Sequence, residues 1–155
     1  MNVDDQTAFR LLQSFAQLEF RLKKVSRFIK GDVGRSAMVQ WGTVGARLAE
    51  LHGPSFLDRI PASVKFKLLA DGDRPKKQLV ELDAHGKTAV FHRWPLPPGE
   101  AQALLEAAQR VRNNLFHGGK EDPDDEPFAG DDQEWAEAAI VVVDRMLMIA
   151  GGDLA

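Results

Sequence analysis

Residues Arg110 to Lys120 read RVRNNLFHGGK, and they close the stretch whose reading decides the fold, Gly99 to Phe116. Pro98 stands at its entry, Glu100 falls in the first turn, and the Ala, Leu, Gln and Arg that follow favour helix. Leu104, Ala108, Val111 and Leu115 recur at spacings of three and four, so they form one apolar stripe. At about 100° per residue the stripe stays within about 40° of Leu104, while Asn113 and His117 fall near about 180° and 220°. They are an i, i+4 pair opposite the core face. Arg112 lies at about 80° and Phe116 at about 120°, between the two faces. Gly118 and Gly119 suit the left-handed residue that ends many helices, and His117 in the last turn favours the negative end of the dipole. On this ordinary reading the segment is a well-made helix stop.

Two further helices flank it. Ala8, Leu11, Phe15, Leu18, Leu22, Val25 and Ile29 predict a long first helix over roughly Gln6 to Lys30, capped by Asp4 or Asp5 and followed by Gly31. Glu19 sits about 40° from Phe15, inside the apolar arc, where an unpaired acid is costly. Two readings stand: an i, i+4 pair with Lys23, or a carboxylate facing a polar site between helices. A last helix is expected from Asp132 to Ala150. Trp135, Ala139, Val142, Met146 and Ile149 mark one face, but Ile140, Val141, Val143 and Leu147 spread apolar surface round it. Such a helix is central to the core or shared with a second subunit.

The middle third is less regular. Gly31 to Gly42 reads as loop, Val44 to Leu51 as a short helix interrupted by Gly53-Pro54, and Ser55 to Ile60 as a further helical turn. Ala62 to Ala70 fits strand or helix equally. Pro75 opens a short helix through Leu82, ended by Asp83-Ala84-His85-Gly86, and Thr88 to Trp94 is extended. Lys120 to Asp132, KEDPDDEPFAGDD, is an acidic loop. The expected class is mostly α, with long first, motif and last helices and a possible short extended or β segment in the middle third, within a single domain spanning 1–155.

At 155 residues, 44% hydrophobic and 28% charged, the chain has the composition of a soluble globular protein. It has no cysteine, which excludes a thiolate nucleophile, a thiolate metal site and a disulfide framework. The start, MNVDDQTAFR, lacks the basic and apolar regions of a signal peptide, and no apolar run is long enough to span a bilayer. The expected localisation is cytoplasmic, with no membrane association. The net charge of −3 conceals an asymmetry: Met1 to Pro95 carry sixteen Lys or Arg against ten Asp or Glu, and Leu96 to Ala155 carry four against thirteen. A basic first part can meet phosphates, or be an ordinary solvated surface.

Beside the helix-stop reading, Arg112, Asn113 and His117 carry a chemical one. Guanidinium makes bidentate hydrogen bonds to phosphate and stabilises the charge of a pentacoordinate state. Histidine titrates near neutrality, so it can take a proton from a ribose 2′-hydroxyl or return one to a leaving oxygen. No metal or cofactor is required for that chemistry. A second copy covering the same face would put two Arg–His sets in one cleft.

The run RNNLFH, with a polar residue directly after the arginine, resembles the R-x4–6-H motif of the HEPN superfamily. RNNLFHGGK is similar to the small stand-alone, plasmid- and defence-associated members. The resemblance is sharp over about ten residues and loose over the first and last helices. It implies a helical bundle that dimerises around the motif helix, with a composite site. It also implies a metal-independent endoribonuclease leaving a 2′,3′-cyclic phosphate, a toxin or antiphage effector with an antitoxin or regulatory partner of unknown identity. By carry-over, Arg112 binds phosphate, His117 is the acid and base, Asn113 orients them, and Glu19 and Lys23 line the cleft. The acidic stretch after the motif and the extended middle segment depart from the pattern. The alternative is a non-catalytic HEPN domain that binds nucleotide, RNA or protein, and a third class is a monomeric structural domain.

Overall fold

The computed structural model describes residues 3–72, 74–116, 132–149 and 154. Among them the chain is mostly helical: α1 (Asp5–Leu22), α2 (Trp41–Asp58), α3 (Ala62–Leu69), α4 (Glu100–Phe116) and α5 (Asp132–Ile149). Two small antiparallel sheets, β1 (Ile29–Lys30) with β2 (Met38–Val39) and β3 (Lys77–Asp83) with β4 (Gly86–His92), complete it.

Helix α4 is the hub, packing against α5, α2 and α3 and, near its end, α1. The expected stripe is there, with Leu104, Ala108 and Val111 buried, but burial runs well beyond it to Ala101, Ala103, Leu105 and Ala107. Alanine on several sides lets neighbouring helices approach α4 closely, since interaxial distance follows side-chain size. Helix α5 repeats the device with Ala136, Ala138 and Ala139, and buries Trp135, Val142 and Met146. Within the single chain α5 is central to the core.

Helix α1 is shorter than its apolar periodicity predicts. Asp4 caps it by accepting from the Thr7 N–H at 2.7 Å. It stops at Leu22, after which Lys24 and Val25 make tighter i to i−3 bonds to Arg21 and Leu22. A 3-10 turn over Ser26–Phe28 then buries Phe28 completely and leaves Ile29 exposed. Continuing the helix through Lys30 would place the core aromatic out of register, so the periodicity of Val25 and Ile29 is overridden. Gly31, at φ +128°, makes the turn towards β2; a Cβ there would meet the Ser36 carbonyl at 2.7 Å.

Three expectations in the middle third are settled by packing. Helix α2 runs unbroken through Pro54 rather than stopping at Gly53. Pro54 is on the exposed side, and the helix beyond it buries Phe56, worth about 1.5–3 kcal/mol, which offsets much of a proline cost of about 3 kcal/mol. Ala62 to Ala70 takes the helical option as α3, burying Leu68 and setting Lys67 over the Trp135 ring at 5.2 Å. Pro75 to Leu82 does not form a helix. Lys77 to Asp83 is strand β3, paired with β4 so that Leu79 faces Val90 and Lys77 faces His92. The reversal is Ala84-His85, where the Asp83 carboxylate accepts from the His85 N–H at 2.7 Å and Gly86 takes φ +118°. The extended segment expected from Thr88 supplies the partner strand. The acidic loop Lys120 to Asp131 and the glycine cap at Gly118 and Gly119 lie outside the described residues. No helix among the described residues is long and apolar enough to cross a membrane.

Candidate active site at the end of α4

The last two turns of α4 send successive side chains to different neighbours. Arg110 is 4% exposed and turns to the chain leaving the hairpin, donating to the carbonyls of Trp94 and Pro95, each at 2.7 Å, and to Glu106 at 3.3 Å. Burial pushes its pKa below the ordinary guanidinium value, with Glu106 opposing. Val111 enters the core. Asn114, also buried, donates to the Lys76 carbonyl at 2.8 Å and so fastens the start of β3 to the helix. All three hold the end of α4 against its neighbours.

Arg112 points instead to α1. Its Nη1 pairs with the Glu19 carboxylate, its Nε donates to Asn113 Oδ1 at 3.1 Å, and its guanidinium carbon lies 4.7 Å from the centre of the Phe15 ring. Three contacts fix one cation: a carboxylate, an amide oxygen and an aromatic face. Glu19 is therefore the carboxylate facing a polar site between helices, and its ion pair is with Arg112 rather than Lys23. The pair opens into a cleft of about 360 Å³ that Lys23, Lys30, Met38 and Trp41 also line. Three cations face one carboxylate there, so the cleft keeps an excess of positive charge suited to an anion.

The structure thus brings Arg112, Asn113, Glu19 and Lys23 together, and Asn113 is exposed. His117 lies outside the described residues. Lys30 and Trp41 were not anticipated as site residues. Lys30 reaches the cleft only because α1 ends early and β1 returns the chain beside β2, which no local periodicity reveals. A second polar cavity of about 340 Å³ adjoins Asn113 from the other side, between α4 and β3. A wider apolar groove of about 780 Å³ lies apart, between α3 and α5, with Phe66 and Val141 in its wall. Among the described residues no group of three or more His, Asp or Glu is placed to hold a metal ion.

Fold and site together define a mostly helical chain with a braced arginine, in a basic cleft, at the end of its central helix. Compared with protein-family models, with curated proteins and with solved structures, the chain finds no match in any of the three.

Proposed function

We propose that the chain is a HEPN-type endoribonuclease: a helical bundle that dimerises around α4 and cleaves RNA without a metal ion. The observation that carries this reading is the bracing of Arg112 by Glu19, Phe15 and Asn113 beside Lys23 and Lys30. Arg112 holds the scissile phosphate and stabilises its extra charge, Asn113 keeps the guanidinium oriented, and the lysine side of the cleft receives the backbone. His117, four residues after Asn113 in the sequence, takes the proton of the ribose 2′-hydroxyl. The 2′-oxygen bonds to phosphorus, the bond from phosphorus to the 5′-oxygen breaks, and that oxygen is protonated by an imidazolium. The products are a 2′,3′-cyclic phosphate and a 5′-hydroxyl. In a dimer the second copy's histidine supplies the acid, so each site is completed across the two-fold axis. A toxin or antiphage role, restrained by a protein partner, fits such an activity.

The test is cleavage of total RNA by purified protein in excess EDTA, with His117→Ala and Arg112→Ala beside wild type. Cleavage that both variants abolish is expected; cutting retained in both removes this site assignment. One observation favours the second reading, a non-catalytic binding module: the Glu19 carboxylate already occupies Arg112. On that reading the protein is an intact dimer that binds RNA or nucleotide and leaves RNA uncut.

A further inference from the structure

The cavity between α4 and β3 is not used by the chemistry above. Gln109, Asn113 and Asn114 reach it from the helix and Gln78 from the strand, so four carboxamides converge on about 340 Å³. An amide oxygen with no protein partner must stay open to water or a ligand, and those of Gln109 and Asn114 are not sealed off. Gln109, 9% exposed, donates to the Leu105 carbonyl at 3.3 Å, and Asn114 donates to the Lys76 carbonyl, yet among the described residues neither amide oxygen accepts a hydrogen bond. Asn113 spends its oxygen on Arg112 and keeps its amide nitrogen. The Gln78 side chain bonds to no described residue.

The cavity therefore offers a mixed set of acceptors and donors. A phosphate needs donors only and an aliphatic ligand needs neither; the edge of a heterocyclic base presents both. A carboxamide matches adenine in particular, accepting from its amino group while donating to a ring nitrogen. Arg110, pinned by two carbonyls and Glu106, closes one side of the cavity, and Glu106 and Lys77 complete its lining. The volume sits at the low end of the roughly 300–1,000 Å³ of small-molecule sites, enough for one heterocycle. Asn113 belongs to this wall and also touches Arg112, so one carboxamide joins the two cavities.

We propose that this cavity is a nucleobase pocket, which seats an adenine of the RNA whose phosphate lies at Arg112 and makes cleavage base-selective. The proposal rests on the ribonuclease reading for its substrate, but its test does not need turnover. Fluorescence anisotropy would measure binding of four 2′-O-methyl homo-oligoribonucleotides, which cannot undergo 2′-hydroxyl attack, to the full chain and to two variants. Gln109→Leu keeps the buried volume and removes the amide; Gln78→Ala changes a strand side chain without touching the core, so folding is retained in at least one variant. Wild type is expected to bind the adenine oligomer at least tenfold more tightly than the uracil oligomer. Both variants should bring the two within about threefold, by loss of adenine affinity alone. Equal wild-type affinity for all four oligomers, or an adenine preference that survives in both variants, overturns the pocket. Selective binding without any RNA cleavage would instead overturn the ribonuclease reading and leave the pocket standing. Cleavage that depends on His117 but ignores both glutamines would do the reverse.

Discussion

Arg110 and Arg112 are separated by one residue, and replacing each should have opposite consequences. Arg110→Met keeps most of the buried stem and removes the guanidinium, which donates to Trp94 and Pro95 at 2.7 Å each. A hydrogen bond from a charged donor contributes about 1.5–3 kcal/mol, so the two together contribute roughly 3–6 kcal/mol. Part returns on substitution, because the cation no longer has to be held out of water. The net loss expected is about 2–4 kcal/mol. With a urea m-value of about 2 kcal/mol/M, that moves the unfolding midpoint down by roughly 1–2 M at unchanged m. Arg112→Ala removes a partly exposed ion pair and one cation–π contact, about 1–2 kcal/mol at most. It should unfold close to wild type and lose RNA cleavage, whereas Arg110→Met should cleave in proportion to its folded fraction. Urea denaturation followed by circular dichroism decides it. An Arg110→Met midpoint within about 0.3 M of wild type, or a larger loss in Arg112→Ala, refutes the division of the two arginines into a pin and a site.

Other outcomes follow from the same contacts. Glu19→Gln removes the carboxylate that orients Arg112 and also repels phosphate, so kcat should fall at least tenfold with KM unchanged or lower; an unchanged kcat would show that Glu19 does not position the arginine. Pro54→Ala restores a donor inside α2 on its exposed side and should stabilise by about 1–3 kcal/mol, raising Tm by roughly 2–4 °C per kcal/mol; a lower Tm would mean the proline fits better than its missing N–H suggests. Asp4 has its pKa lowered, first by the Thr7 backbone N–H. Its charged form therefore stabilises the fold above the unfolded-state pKa, and that stability is lost as pH falls through the folded value. The deficit of Asp4→Ala relative to wild type should be full at neutral pH and shrink in strong acid; a deficit that grows with acidity would contradict the cap.

Three of the four long helices, α1, α4 and α5, were legible because amphipathic periodicity is a local signal, and Leu104, Ala108 and Val111 are buried as their spacing predicts. Asp4 was legible for the same reason, as a capping side chain beside the backbone it caps. The hairpin was only half legible. Thr88 onward reads as extended, but Lys77 to Asp83 becomes strand because that partner lies across a two-residue turn. The end of α1 was misjudged since Phe28, not Ile29, is the side chain the core takes.

Of the candidate site, the sequence by itself singled out the residues on which the proposal rests: an arginine followed by asparagine, a histidine four residues beyond that asparagine, and a glutamate and lysine in the first helix. The resemblance picked Arg112, the arginine followed by asparagine, but gave no role to Arg110, which lies about 200° round the helix from it. Tertiary structure decided that. The face of Arg110 meets the chain leaving β4, whose carbonyls need donors, and the face of Arg112 meets α1, where Glu19 supplies a counter-charge. Lys30 and Gln78 join the two cavities beside it for the same reason: proximity across distant segments is set by packing, and one-dimensional patterns do not encode it.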